Sequence, residues 1–542
     1  MKGHMQDWPL LVHTIIDHAE INHGDRELVS RTVEGPIHRT NYGQIAKRSR
    51  KLASALKKRG YGFGDVLATM AWNGYRHMEA WYAISGLGAV CHTLNPRLFD
   101  EQLEYIVNHA EDQVLFVDTT FLPIIERMRP KFKTLKEIVV LTDAAGVPPS
   151  TLGNVISYEE LIATGDDDFA WPSFDENTAC GLCYTSGTTG NPKGVLYSHR
   201  SNVLHALMVS GADFMGLKST DVVLPVVPMF HANAWALTYA APMVGAKLVM
   251  PGAGMDGASI YELLDSEKVT FSGAVPTVWS MLLNHLEETG SMLPDLKNVI
   301  IGGSACPRSM MEIFLEKYGV LVKHAWGMTE MSPLGTMYAP TAATAALEGE
   351  ELWALKQKQG RAVYGVEMQV VDEDGNPQPR DGKAFGAMKV RGPAVAGAYL
   401  KGAGGQVLDE DGWFDTGDVG NIDPLGFFQI TDRSKDVIKS GGEWISSIDL
   451  ENVAIGHEAV LEAAVIGLPH PRWDERPLLV VVLKEGMSAD KDQILGYLDG
   501  KVAKWWIPED VAFVDELPHT ATGKISKLNL RQQFDAYNFP ET

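Results

Sequence analysis

The chain alternates short apolar runs with amphipathic stretches. The runs Val66 to Trp72, Val114 to Asp118, Ile138 to Thr142, Val222 to Pro228, Lys247 to Pro251, Val269 to Val275, Asn298 to Gly303 and Val320 to Trp326 are β-rich and almost continuously apolar. Between them, Tyr42 to Arg59, Phe99 to His109 and Val278 to Glu288 carry apolar residues at helical spacing. Near-continuous apolar strands are buried on both faces, and the intervening helices supply the cover. The pattern predicts an α/β protein with layered, mostly parallel sheets.

After about Gly360 the texture changes. Glu367 to Asp372, Phe385 to Val390 and Gly426 to Ile430 are short strands set among the turn signals Asp374-Gly375, Asp381-Gly382 and Asp411-Gly412. Such spacing predicts a small β-rich lobe with hairpins. The polar run Thr431 to Asp436 then separates two apolar stretches. Beyond it, Ala464 to Leu468 and Leu478 to Leu483 read as strands, and Asp449 to Ile455 and Lys491 to Lys504 as helices. The expected domains are residues 1–431 and residues 432–542, with Asp432 as boundary and hinge.

Composition narrows the class. Hydrophobic residues make up 45% of the 542 and charged residues 21%, so large cores form without staples. The net charge of −22 disfavours non-specific binding to nucleic acid or an anionic membrane, while allowing a local basic pocket. The four cysteines, Cys91, Cys180, Cys183 and Cys306, are too sparse for a disulfide framework and suit a reducing compartment. Cys180 and Cys183 lie in the apolar run Ala179 to Tyr184, with no second pair at zinc-site spacing, and read as part of a buried strand. No run reaches the roughly 18 uninterrupted apolar residues of a membrane span. Met1 to Pro9 has no basic segment leading into an apolar one, so a soluble, cytoplasmic protein is expected.

The strongest chemical signal is the segment Tyr184 to Gly194, which follows an apolar strand. It holds the hydroxyls of Thr185, Ser186, Thr188 and Thr189, the glycines Gly187, Gly190 and Gly194, and the ammonium of Lys193. Glycines let a backbone approach closely and present its N–H groups, so the loop can wrap phosphate oxygens. It is not a Walker loop: Pro192 stands where the second glycine belongs, and Gly194 where a Ser or Thr would hold Mg2+.

This segment resembles the phosphate loop of the adenylate-forming superfamily of acyl-CoA synthetases, peptide-synthetase adenylation domains and luciferases. Four further segments resemble that superfamily's motifs in the same order: Trp326 to Glu330, Trp413 to Asp418, Asp432 to Glu443, and Pro518 to Ile525. The resemblance implies a large N-terminal domain of α/β layers with a β-rich lobe, and a small mobile α+β C-terminal domain. It implies an ATP-dependent ligase that joins a carboxylic acid to coenzyme A through an acyl-adenylate, with Mg2+, and a homodimer.

By the same resemblance, Lys524 bridges the carboxylate and the α-phosphate. Thr188, Thr189 and Lys193 steady the β- and γ-phosphates, with Ser186 and Gly187 in the same loop. Glu330 holds Mg2+ with help from Thr185. Asp418 accepts from the ribose hydroxyls, and Arg433 reaches the ribose from the other domain. Gly302, Gly303 and Ser304 leave room for a flat ring. His324, Ala325 and Trp326, followed by Gly327 and Thr329, line the adenine pocket; Trp326 stands where many relatives carry Tyr, which keeps stacking and removes a hydroxyl. For the thioester step, the C-terminal domain turns and presents Lys435, Lys439, Ser440, Gly441, Gly442, Glu443 and Trp444 to the adenylate, with Glu475 steadying that loop.

The acyl group is expected against His231, Trp235, Gly303, Met328 and Pro333, with Pro276 and Met331 as further walls. That composition suits an apolar acid of modest size. Within the superfamily, Met5 to Leu10 and His231 to Trp235 resemble bacterial short- and medium-chain acyl-CoA ligases, and among them the 3-(methylthio)propionate ligases of dimethylsulfoniopropionate breakdown. A general medium-chain fatty acyl-CoA synthetase is the neighbouring alternative. A carrier-protein adenylation domain would continue into a carrier segment, whereas 18 residues follow Lys524. A degenerate nucleotide sensor would not need Lys193, Glu330, Asp418 and Lys524 together.

Overall fold

The computed structural model describes residues 1–542 apart from 2, 154, 186–190, 441–442, 520–523 and 540–542, and apart from the side chains of residues 443 and 444. Among the described residues the strands form four sheets. A seven-stranded sheet runs Val155–Ser157, Glu137–Val140, Val114–Val117, Val66–Met70, Val90–Thr93, Ala179–Tyr184, Gly194–Ser198. Its neighbours are parallel until the last pair, which is antiparallel and puts Tyr184 opposite Gly194. The strands on either side of the candidate phosphate segment are therefore paired as an edge hairpin.

The nine-stranded sheet has a parallel centre: Lys247–Met250, Val222–Pro225, Phe271–Ala274, Asn298–Ile301 and Leu321–Gly327. Leu334–Met337 and Arg361–Ala362 extend one side antiparallel; on the other, Glu27–Arg31 joins parallel and Ile37–Asn41 pairs antiparallel with it. Several apolar runs outlast their strands by two or three residues: the strand stops at Pro225 or Ile301, while the run continues to Pro228 or Gly303. The surplus residues leave the sheet at the carboxyl ends of parallel strands, where open α/β sheets bind ligands.

The helix Tyr75–Gly86 is buried at every position but Arg76. A helix covered all round must lie between layers. Its Tyr82 hydroxyl donates to the Thr238 carbonyl at 2.9 Å, and Trp81 and Tyr82 both pack edge-on against Tyr239.

The β-rich lobe is a four-stranded antiparallel sheet of Glu367–Val371, Gly386–Arg391, Phe414–Ile422 and Phe428–Arg433. The smaller C-terminal unit is α+β: Ile438–Ser440, Glu443–Ile445, Val460–His470, Asp474–Leu483 and Asp510–Phe513 form a sheet, with helices Ser447–Ile455, Lys491–Leu498 and Lys527–Gln533. The helix expected over Lys491 to Lys504 ends at Leu498, because Asp499 is extended and Gly500 takes φ +74°. Lys504–Trp506 is a separate 3-10 turn. Among the described residues no helix is long and apolar enough to cross a membrane.

Asp432 is the penultimate residue of the lobe's last strand, Phe428–Arg433, and its side chain reaches into the next unit. Oδ2 accepts from the Ser447 backbone N–H at 3.0 Å and its hydroxyl at 2.6 Å. Ser447 opens the helix Ser447–Ile455, whose Glu451 pairs with Lys527 at 2.8 Å.

Candidate active site

A cavity of about 280 Å3 lies where the carboxyl ends of the nine-stranded sheet face the edge hairpin, the β-rich lobe and the C-terminal unit. It collects Thr185, Lys193, His231, Trp235, Gly302, Gly303, Ala325, Gly327, Met328, Thr329, Glu330, Pro333, Arg433, Lys435 and Lys524 from the expected residues. Ser186, Gly187, Thr188, Thr189, Gly441 and Gly442 lie outside the described residues, as do the side chains of residues 443 and 444.

Among the described residues, four cations, Lys193, Arg433, Lys435 and Lys524, line this one cavity in a chain of net charge −22, against the one lining carboxylate of Glu330. Burial, and then the Arg433 guanidinium, pull the Lys524 ammonium down to about 8. Burial likewise pushes the Glu330 carboxyl up, opposed first by the hydrogen bond from Tyr399. Like charges held in a low-dielectric space call for a multiply charged anion.

The glycines serve close approach. Gly303 has φ +84°, and a Cβ there would stand 3.2 Å from Val275 Cγ1 and 3.9 Å from Lys524 Cε. At Gly302 a Cβ would come 3.0 Å from the Ala325 carbonyl oxygen and 3.6 Å from the Trp235 ring. Thr185 is tied to Lys193 across the hairpin: its N–H donates to the Lys193 carbonyl at 2.9 Å.

His324 and Trp326 sit behind the wall rather than on it. In the strand Leu321–Gly327 successive side chains alternate faces, so Ala325 turns to the cavity and its two neighbours turn inward. His324 shares a hydrogen bond with the Gln357 carbonyl at 2.9 Å. Trp326 packs against Phe428 and donates its indole N–H to Asp418 Oδ2 at 2.8 Å. The missing tyrosine hydroxyl therefore does not leave this position without a polar contact. Asp418 also lies behind the lining, 5% exposed, with Arg433 Nε 3.4 Å from Oδ1. Ser304 and Pro276 are off the lining, and Met331 is fully buried.

The apolar side chains on the lining are Leu98, Ile106, Phe230, Trp235, Met328, Pro333 and Leu334. Residues 232–236 all have positive φ, from 43° to 65°, and none is glycine. Strain of this kind persists only where surrounding packing over-determines it, and it clusters at ligand sites. Burial, and then Lys524, push the His231 imidazole down to about 4, so it is neutral at physiological pH.

Lys439, Ser440 and Glu475 do not line the cavity. Ile438–Ser440 pairs within the C-terminal sheet, and the Lys439 N–H donates to Glu475 Oε2 at 2.9 Å. Sequence reasoning missed Tyr399, Thr416, Asn95, Asn191 and Phe230 as lining residues. Thr416, Asn191 and Phe230 lie inside the segments already singled out, but Tyr399 follows a Gly/Ala-rich stretch that reads only as a loop.

The chain matches the AMP-binding enzyme family over residues 17–400 and the AMP-binding enzyme C-terminal domain over residues 449–524. It is 51% identical over 534 residues to a 3-methylmercaptopropionyl-CoA ligase of Ruegeria lacuscaerulensis, covering 98% of this chain and 99% of that one. It is 48% identical over 534 residues to a medium-chain-fatty-acid–CoA ligase of Ectopseudomonas oleovorans, covering 98% of each. The fold is similar to the crystal structure of the anthranilate CoA ligase AuaEII in complex with anthranoyl-AMP, at TM-score 0.86 and 26% identity, over 98% of this chain and 99% of that one.

Proposed function

The chain belongs to the AMP-binding enzyme family and is an ATP-dependent, acyl-adenylate-forming CoA ligase, and from that premise we propose which acid it activates and which residues carry the two half-reactions. The acid is 3-(methylthio)propionate, with butyrate to hexanoate as further substrates. The observation that supports this reading is the convergence in one cavity of Lys524, three further cations, Glu330 and apolar side chains that include Trp235.

In the first half-reaction a carboxylate oxygen attacks the α-phosphorus of ATP. The bond to the bridging oxygen breaks, and pyrophosphate leaves. Both reactants are anions, so the site must offset their repulsion and the charge that builds at phosphorus. Lys524 bridges the carboxylate and the α-phosphate. Lys193, with the hairpin loop, holds the β- and γ-phosphates. Asp418 and Arg433 hold the ribose, and the Gly302–Gly303 backbone leaves room for the base. His231, neutral, hydrogen-bonds the carboxylate.

Glu330 and Thr185 are the residues that would hold Mg2+. Among the described residues no group of three His, Cys, Asp or Glu side chains forms a metal cage. One buried carboxylate facing a phosphate site nonetheless suits an ion that keeps waters and takes substrate phosphates as ligands. Bound there, Mg2+ supplies charge neutralisation on the phosphates.

In the second half-reaction the sulfur of coenzyme A attacks the acyl carbon, the carbon–oxygen bond to AMP breaks, and the thiol proton is released. Residues 432–542 turn at Asp432 to withdraw Lys524 and bring up Lys439, Ser440 and the following loop, with Glu475 bracing Lys439; Lys435, which lines the cavity beside Lys524 before the turn, serves coenzyme A after it. The protein acts as a cytoplasmic homodimer that binds no nucleic acid. Pyrophosphate release across acids of two to ten carbons beside 3-(methylthio)propionate tests the substrate. A kcat/KM for octanoate above that for 3-(methylthio)propionate would assign the enzyme to medium-chain acids instead.

A further inference from the structure

Residues 392–405 form the first part of the connection between the strands Gly386–Arg391 and Phe414–Ile422 of the β-rich lobe. They close on the phosphate end of the cavity at several points. The Tyr399 hydroxyl donates to Glu330 Oε1 at 2.6 Å. The Ala396 N–H donates to the Glu330 carbonyl at 2.8 Å, and the Ser332 hydroxyl donates to the Ala394 carbonyl at 2.9 Å. The Lys193 ammonium lies 5.0 Å from the centre of the Tyr399 ring. Gly404, at φ +80°, is also close to it: a Cβ there would come 2.9 Å from Lys193 Nζ. Tyr399 itself lines the cavity.

One side chain thus touches both the carboxylate and the ammonium assigned to the metal and phosphates. We propose that Tyr399 is a positioning residue for this end of the site. Its hydroxyl fixes the Glu330 carboxylate by one oxygen and leaves the other for Mg2+, and its ring face holds the Lys193 ammonium toward the β- and γ-phosphates. A carboxylate ligand held by an outer hydrogen bond keeps one orientation and loses less freedom when the ion arrives. An aromatic face attracts an ammonium without neutralising it, so the full charge stays available to phosphate. The inference rests on the reading of Glu330 and Lys193 given above.

The test is a Mn2+ titration followed by electron paramagnetic resonance, with the α,β-methylene analogue of ATP bound. The wild type is compared with Tyr399→Phe and Glu330→Gln. Tyr399→Phe keeps the ring beneath Lys193 and deletes only the donor. It should weaken Mn2+ binding by about 10- to 100-fold. Pyrophosphate formation should fall with it, while thioester formation from supplied acyl-adenylate stays at the wild-type rate. Unchanged Mn2+ affinity in Tyr399→Phe, with loss in Glu330→Gln, would overturn the inference and leave Glu330 as the metal ligand. Unchanged affinity in both would remove that ligand reading and the inference with it. An equal fall in the two half-reactions would show general damage and count against the positioning role.

Discussion

The indole Nε1–H of Trp326 donates to Oδ2 of Asp418 at 2.8 Å, behind the cavity wall. Trp326 lies on the strand Leu321–Gly327 and Asp418 on the lobe strand Phe414–Ile422, so the bond ties the central sheet to the lobe. It also fixes the carboxylate proposed to take the ribose. Trp326→Phe keeps an aromatic ring and removes the donor. A hydrogen bond to a charged group contributes roughly 1.5–3 kcal/mol, so KM for ATP should rise about tenfold or more. Trp326→Tyr should recover part of that loss if its hydroxyl reaches Asp418. Steady-state kinetics in ATP checks this; an unchanged KM in Trp326→Phe would mean that Asp418 needs no such support.

The ammonium of Lys524 has its pKa pulled to about 8 by burial and then by Arg433. Only the protonated lysine offsets the charge of the reacting anions. The kcat/KM for ATP reports the free enzyme, so adenylation should be flat below that pKa and fall about tenfold per pH unit above it. His231, pushed to about 4, stays neutral throughout and adds no second limb. Thioester formation from supplied acyl-adenylate consumes a thiolate and should not fall over the same range. An adenylation rate that rises with pH would show that neutral Lys524 is the working form.

Trp235 is 5% exposed, sits at φ +53°, and packs over Gly302 and Gly273. If it is the end wall, Trp235→Ala opens a void that short acids leave empty. Each added methylene that fills it returns about 0.8 kcal/mol, so preference should move from butyrate toward octanoate. If Trp235 is only core, truncation should instead destabilise by roughly 3–5 kcal/mol and lower activity for every acid alike. Measuring kcat/KM for butyrate, hexanoate, octanoate and 3-(methylthio)propionate, with a melting curve on the same protein, separates the two.

The elements were legible because the strands are short, apolar and bounded by turn residues: Val114–Val117 and Asn298–Ile301 lie inside the runs read from the sequence. Their order was not, because neighbours such as Glu27–Arg31 and Lys247–Met250 are far apart in sequence and a hydrogen-bonded edge leaves no local mark. In the site, residues carried by a motif could be named, yet side-chain direction could not always be assigned. Alternation along Leu321–Gly327 turns Trp326 toward Asp418 and away from the cavity. The left-handed run of residues 232–236 was also hidden, since it contains no glycine to announce positive φ. Tyr399 escaped because its role depends on Glu330 and Lys193, which are 69 and 206 residues away.

The central claim is that Lys524, carried by the smaller domain, serves adenylation and is withdrawn for thioester formation. Lys524→Ala should be assayed in each half-reaction separately: pyrophosphate release from ATP and 3-(methylthio)propionate, and CoA thioester formation from chemically made acyl-adenylate. The account predicts that the first falls to the limit of detection while the second stays within a few-fold of wild type. An equal loss in both, with the protein still folded, would contradict it.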